Sequence, residues 1–142
     1  MREHFRERAA EYNAVVFDSR QPSRALCGDV SAVSGTFDLV YLDPPYAPPR
    51  DDNCYIKRYH FLEGLSMYWR GQSIMEHTKT KKLAKRYTPF SYKRTVVQAL
   101  RETFKQFEGA TIVLSYSSNA VPDAQTIEAV LREVKSVVEV RK

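Results

Sequence analysis

The sequence lacks any apolar run close to the ~20 residues that a membrane-spanning helix needs. Its beginning, MREHFRERAAEY, is charged and contains none of the apolar core of a secretory signal. These two absences predict a cytoplasmic protein that has no membrane partner.

Cysteine and histidine are also scarce, with two and three residues. Cys27 and Cys54 lie far apart and form no CxxC pair, and the histidines are scattered. A structural zinc site takes about four such ligands in close groups, so the sequence predicts no metal site. Without a secretory signal, both thiols are expected to be reduced.

Apolar residues are plentiful enough for one packed domain. The 142 residues suit a single domain, and 43% of them are hydrophobic, which argues against disorder. Strands are predicted at 14–18, 23–30, 37–43, 111–116 and 136–142. Helices are predicted at 2–13, 55–69, about 91–107 and 121–134. The alternation predicts an α/β fold with a largely parallel sheet in one domain, 1–142.

Two of the predicted helices have a marked apolar face. In the third helix this face consists of Val96, Val97, Leu100, Phe104 and Phe107. In the second helix, Phe61, Leu62 and Leu65 are interpreted as buried. His60 and Glu63 of the same helix either face a site or serve a structural role.

Positive charge is concentrated in one segment, about 71–94. It holds seven basic residues against Glu76 alone, a local charge of +6, so the rest of the chain sums to about −1 of the net +5. The basic residues are Lys79, Lys81, Lys82, Lys85, Arg86, Lys93 and Arg94. Such a cluster suggests a surface that meets nucleic-acid phosphates. A solvated loop is the alternative.

The stretch YLDPPY (41–46) ends the clearest predicted strand with an acid and two prolines. Ligands of open α/β sheets bind beyond the carboxyl ends of the strands, where Asp43 is predicted to lie. The prolines stiffen the turn, and Tyr46 adds a flat ring. An acceptor beside a ring suits a planar group with an exocyclic amine, such as a nucleobase. Asp29, at the end of another predicted strand, is expected to line the same edge.

These residues carry a resemblance. FDLVYLDPPY resembles the catalytic motif of amino-group methyltransferases that use S-adenosylmethionine. Together with YIKRYHFLEGLSMYW and TIVLSYSSNAVP, it is similar to adenine-specific DNA methylases of the Dam-like (D12) class, from roughly Leu26 to Val140. The resemblance implies a Rossmann-like sheet, S-adenosylmethionine as the cofactor, and N6 methylation of an adenine flipped out of double-stranded DNA.

The resemblance implies roles for the residues of the motif, Asp43, Pro44, Pro45 and Tyr46. Asp43 would accept a hydrogen bond from the adenine amine, the Pro44 carbonyl would accept a second, and Tyr46 would stack on the base. For the cofactor it implies Asp29, Tyr41 and Asp43. Tyr41 and Leu42 would form walls, and Ser115 and Tyr116 would lie near the pocket. The segment 71–94 would be a basic insertion that contacts DNA.

One family motif is missing from the sequence. The family carries an upstream FxGxG motif that holds the methionine part of the cofactor, whereas no two of the five glycines here form a GxG. The resemblance therefore implies an incomplete methylase domain: a fragment, a decayed or divergent form, or a split subunit for which a second chain would supply the motif. The alternatives are an inactive or split fragment that binds nucleic acid, and a methyltransferase that acts on RNA or on protein glutamine.

Overall fold

The computed structural model of the chain describes residues 2–47, 59–84 and 87–141. The helices in these ranges are α1 (Arg2–Val15), α2 (His60–Ser66), α3 (Val96–Gln106) and α4 (Ala124–Arg132), and the strands are β1 (Leu39–Leu42) and β2 (Thr111–Leu114). Short 3-10 turns at Val30–Ala32 and Pro89–Ser91 precede β1 and α3. None of these helices combines the length and the apolar content that a membrane span requires.

The two strands pair in parallel, and α3 lies between them in the chain. Leu39 is opposite Thr111 and Leu42 is opposite Leu114. The Ser115 N–H donates to the Leu42 carbonyl over 2.9 Å, which continues the pairing beyond the strands. The C-terminal ends of the two strands therefore lie side by side. We call this end of the sheet the carboxyl edge, and the opposite end, where the strands begin, the amino edge. This arrangement confirms the predicted mixed α/β class with parallel pairing.

Helix α3 runs in the opposite direction to the strands. At its end, the Phe107 ring contacts the ring of Phe37 edge-to-face, with centroids 5.9 Å apart, just before β1 begins. At its start, Val96 is buried in the same cluster as Ala47, and Leu42 packs against that cluster at the end of β1. Helix α3 therefore begins at the carboxyl edge and ends at the amino edge.

The core lies between one face of the sheet and helices α3 and α4. The apolar face predicted for the third helix is confirmed: Val96, Leu100 and Phe104 of α3 and Phe107, which directly follows α3, are buried, and Val97 packs against them partly buried. Helix α4 adds Ile127 and Val130, and the strands add Leu42, Ile112 and Leu114. This face of the sheet is well packed.

The other face of the sheet is open in the described part of the chain. Leu39, Tyr41 and Val113 are 58%, 62% and 40% exposed. A continuous apolar run such as that of β1 is typical of a strand covered on both faces, yet the described residues cover only one face. Parallel sheets are normally covered on both sides, so three large apolar side chains here face solvent against the usual rule.

Three predicted strands do not form: 14–18, 23–30 and, as far as it is described, 136–142. The first two residues of 14–18 belong to the last turn of α1, and the rest of that segment is exposed. None of the three segments pairs with another described strand. An apolar run gives a preference for extended backbone, but a strand exists only where a neighbouring backbone takes its hydrogen bonds.

Helix α2 also differs from its prediction. Its apolar side chains Phe61, Leu62 and Leu65 are exposed, so their interpretation as buried is wrong. The one buried residue of α2 is Gly64. The Trp69 ring covers it so closely that a Cβ there would lie 2.5 Å from ring atoms. The helix packs through its glycine, a contact that apolar spacing does not reveal. Residues 55–58 of the predicted helix lie outside the described ranges.

The remaining helices are confirmed with shifted ends. Helix α1 covers the predicted 2–13 and continues to Val15. Helix α3 begins at Val96 rather than near Ser91, because Pro89–Ser91 forms a separate 3-10 turn. Helix α4 spans Ala124–Arg132, so it is shorter at both ends than the predicted 121–134. The Asp123 carboxylate accepts a hydrogen bond from the Thr126 N–H over 2.8 Å and so caps the helix.

The cap makes stability depend on pH in a defined way. The hydrogen bond from the Thr126 backbone lowers the pKa of Asp123. The stabilisation is therefore fully present above the unfolded-state pKa and is lost as the pH falls through the lower folded-state value. We expect Asp123→Ala to lower Tm by a few degrees at neutral pH, and the gap to close in acid. Asp123→Asn keeps a capping oxygen and should lose less. Equal Tm values for all three proteins at neutral pH would contradict this.

Candidate functional site

The DPPY turn leaves β1 at the carboxyl edge. Asp43 directly follows the strand and is exposed, whereas Pro44, Pro45 and Tyr46 are half-buried. The Tyr46 hydroxyl donates a hydrogen bond to Asp43 Oδ1 over 3.1 Å. The structure thus brings the Asp43 carboxylate and the Tyr46 ring together at the end of β1, where the sequence predicted them.

The residue after the motif anchors the turn in the core. Ala47 is fully buried and forms an isolated antiparallel bridge with Val121. The Val121 N–H donates to the Ala47 carbonyl over 2.8 Å. A turn that contains two prolines and is fixed at both ends, by β1 and by this bridge, holds its carboxylate in one place.

A second tyrosine supports the ring of the motif. Tyr116 follows β2 and contacts Tyr46 edge-to-face, with ring centroids 5.2 Å apart and 78° between the planes. The Tyr116 hydroxyl donates to the Val121 carbonyl over 2.6 Å. Only the resemblance to adenine methylases predicted that Tyr116 lies near the pocket. Its contact with Tyr46 joins residues far apart in the chain, and no local pattern predicts it.

This arrangement can bind an N–H donor beside an aromatic ring. A carboxylate has two oxygens with about four acceptor positions, so the bond from Tyr46 leaves Asp43 able to accept further hydrogen bonds. The carboxylate is exposed and therefore reachable. An amine on a planar ring fits this combination of charge, ring and stiff backbone.

Asp29 is engaged locally. Its carboxylate accepts hydrogen bonds from the Ser31 N–H at 2.9 Å and from the Ser31 hydroxyl at 2.6 Å, at the start of the turn Val30–Ala32. The bond from the Ser31 hydroxyl, together with the one from its N–H, lowers the pKa of Asp29. Asp29 is thus the cap of a short turn, and no strand leads to it.

The turn that Asp29 caps lies at the amino edge. The Gln106 side-chain amide, at the end of α3, donates to the carbonyls of Val30 and Val33 at 2.9 and 2.7 Å. Because α3 ends at the amino edge, Asp29 and Asp43 lie at opposite ends of the sheet. The prediction that they line one edge is wrong, since the strand expected to carry Asp29 to the carboxyl edge does not form.

Part of the basic segment forms an irregular hairpin, 73–84. The Met75 N–H donates to the Lys82 carbonyl at 2.9 Å, and the Ala84 N–H donates to the Ser73 carbonyl at 2.8 Å. Leu83, within the hairpin, is 2% exposed. The two backbone hydrogen bonds hold the ends of the basic stretch between them together.

The lysines of the hairpin keep most of their charge uncompensated. Lys79 and Lys81 are exposed and Lys82 is half-buried. Lys81 pairs with Glu76, with Nζ 3.4 Å from the carboxylate, and an exposed pair of this kind contributes little to stability. Lys85 and Arg86 lie outside the described ranges.

The residues that the resemblance assigns to the cofactor do not all lie together. Of the residues that the resemblance assigns to the cofactor, Asp29 lies at the far edge, and the Tyr41 side chain is on the open face of the sheet. No group of three His, Cys, Asp or Glu side chains in the described ranges can hold a metal ion. No family model matches the chain, and no curated protein or solved structure matches it either.

Proposed function

We propose that this chain is the base-binding, catalytic part of an S-adenosylmethionine-dependent N6-adenine DNA methyltransferase with an incomplete Rossmann-like sheet. One observation carries the proposal: the exposed Asp43 carboxylate, hydrogen-bonded by Tyr46, stands on a stiff turn at the carboxyl end of a parallel strand. The resemblance of the surrounding sequence to adenine methylases supports the same function.

The role of the turn is to bind and orient the adenine amine. Asp43 accepts one N6–H, and the Pro44 carbonyl is the proposed second acceptor. Two fixed acceptors aim the nitrogen lone pair and stabilise the positive charge that grows on the nitrogen as it forms a bond to carbon. The cofactor would supply the methyl group from its sulfonium, its S–C bond breaking as the N–C bond forms, and the methylated amine would release one proton to solvent. The chain itself would bind and orient the base.

DNA is the proposed acceptor because a basic segment lies in the same chain. The exposed lysines of the hairpin provide charge for phosphate contacts, which any duplex would offer. An adenine inside a duplex must leave the stack before its amine reaches Asp43. RNA and glutamine side chains also carry amines and are the competing acceptors.

A second candidate function is favoured by the open face of the sheet. Leu39, Tyr41 and Val113 are exposed, and the sequence contains no FxGxG motif. Both facts fit a nucleic-acid-binding subunit that becomes an enzyme only with another chain, one that covers this face and brings the missing glycine-rich motif. The inactive form of this second candidate is a fragment that binds nucleic acid but never methylates it.

Methyl transfer to matched acceptors tests the proposal. The chain is incubated with methyl-labelled S-adenosylmethionine and a DNA duplex that contains adenine. The control is the same duplex with 2-aminopurine in place of every adenine, which moves the amine away from the N6 position. We expect label on the adenine duplex only. RNA of the same sequence and a glutamine peptide complete the set, and label on either of them alone would contradict the choice of DNA.

The same assay separates the two candidates. If the chain itself is the enzyme, transfer occurs without addition. If it is a subunit, transfer appears only when a chain that carries an FxGxG motif is added, and calorimetry shows cofactor binding only in the mixture. Absence of transfer in both preparations contradicts the enzymatic proposal.

A further inference from the structure

A stacked pair of tyrosines lies in the second half of the basic segment. The rings of Tyr87 and Tyr92 stack with centroids 5.3 Å apart and 23° between their planes. Tyr87 is 69% exposed. The contact with Tyr92 restricts the orientation of the Tyr87 ring, while most of the Tyr87 surface still meets solvent.

The loop that carries the pair is firmly built. The Thr95 hydroxyl donates to the Pro89 carbonyl at 2.7 Å, and the Thr95 N–H donates to the Tyr92 carbonyl at 3.0 Å. Phe90, in the middle of the loop, packs against the core. Tyr92 is therefore presented by an anchored backbone, and its ring supports the ring of Tyr87, which lowers the cost of ordering the pair on binding.

The loop lies at the same edge as the DPPY turn. It leads directly into α3, which begins at the carboxyl edge. Val96, the first residue of α3, shares its buried cluster with Ala47, the residue that follows the motif. A ligand that reaches Asp43 from this edge therefore passes the end of the molecule that carries the tyrosine pair.

Positive charge adjoins the rings. Lys93 and Arg94 follow Tyr92 and are exposed, and the hairpin lysines precede Tyr87 in the chain. Aromatic rings among basic side chains are the combination that binds unpaired nucleic-acid strands, because each base has a flat face and each linkage has a charge.

We propose that Tyr87, backed by Tyr92, is a stacking platform for an unpaired base of the DNA strand. The inference rests on the proposed function for its choice of DNA and extends it with a second contact, separate from the one at Asp43. Stacking accepts any base, so the platform adds affinity without adding a recognition sequence.

Fluorescence titration of a single-stranded oligonucleotide that contains 2-aminopurine tests the platform. We expect Tyr87→Ala to weaken binding by roughly fivefold to a hundredfold, the range that alanine substitution of a base-stacking residue produces. Tyr87→Phe keeps the ring and should bind within about twofold of the wild type. The matched control is Tyr12→Ala, which removes a tyrosine that is 72% exposed on α1, outside the basic segment.

Salt separates stacking from charge. At higher ionic strength all variants should bind more weakly, while the ratio between wild type and Tyr87→Ala persists, because phosphate contacts are screened and stacking is not. Equal affinities of Tyr87→Ala and Tyr12→Ala overturn the proposal, as does a ratio that falls to one when salt is added. The titration contains no methyl donor. The platform therefore stands or falls independently of the methyl-transfer assay.

Discussion

Replacing Asp43 with alanine is expected to lower the rate of methyl transfer to DNA by about 10²–10³-fold, the range found when one preorganised electrostatic contact to the transition state is removed. The loss should appear in kcat, because the contact strengthens as charge develops on the amine nitrogen. The side chain is exposed and bonds to Tyr46, so the free energy of unfolding should hardly change. The assay uses whichever preparation transfers methyl groups, the chain alone or with its partner.

The same strand supplies the matched control. Asp38 directly precedes β1 and Asp43 directly follows it, so the two exposed acids stand at opposite edges of one strand. The backbone carbonyl of Asp38 accepts a hydrogen bond from the Thr111 N–H of β2 over 2.9 Å. An alanine at this position retains that carbonyl. We expect Asp38→Ala to transfer methyl groups at the wild-type rate. Equal losses in the two variants would remove the reason for placing the amine at Asp43.

Truncating Phe104 is expected to have the largest effect on stability. Its side chain is fully buried in the cluster that joins α3, α4 and the inner face of the sheet. Removing such a ring costs about 3–5 kcal/mol, from lost apolar burial and from the cavity left behind. Because small domains unfold at about 5–15 kcal/mol, Phe104→Ala should lower the denaturation midpoint severely or leave the chain unfolded.

A phenylalanine on α1 serves as the comparison. Phe5 is 74% exposed, and α1 contains no buried residue. Phe5→Ala should stay within about 0.5 kcal/mol of the wild type, as other surface substitutions do. Urea denaturation followed by circular dichroism measures both variants. A Phe104→Ala protein that unfolds at the wild-type midpoint would mean that the packing around α3 does not hold the fold together.

The helices of the core could be predicted because their signals are local. The apolar spacing of α3 reports which face is buried, and Asp123 marks the start of α4 by a bond to Thr126, three residues away. The end of β1 could be predicted too, since two prolines after Asp43 cannot continue a central strand.

What could not be predicted depends on partners distant in the chain. The run at 14–18 has the composition of a strand, yet no described backbone pairs with it. The prediction that Asp29 lies at the carboxyl edge depended on a strand at 23–30 that does not form. The contact between Tyr46 and Tyr116, which supports the candidate site, joins two elements that only the tertiary fold brings together.

The pairing of β1 with β2 also sets the order in which the molecule can assemble. Leu39 pairs with Thr111, 72 positions further along the chain, whereas α3, β2 and α4 follow one another within Val96–Arg132. Contacts within that contiguous stretch form at a low entropy of loop closure, and β1 can join only after a long loop has closed. The DPPY turn directly follows β1, so we expect it to take its place only when β1 docks onto β2. We expect its geometry to be acquired late in folding and to be lost early when the strand pair opens.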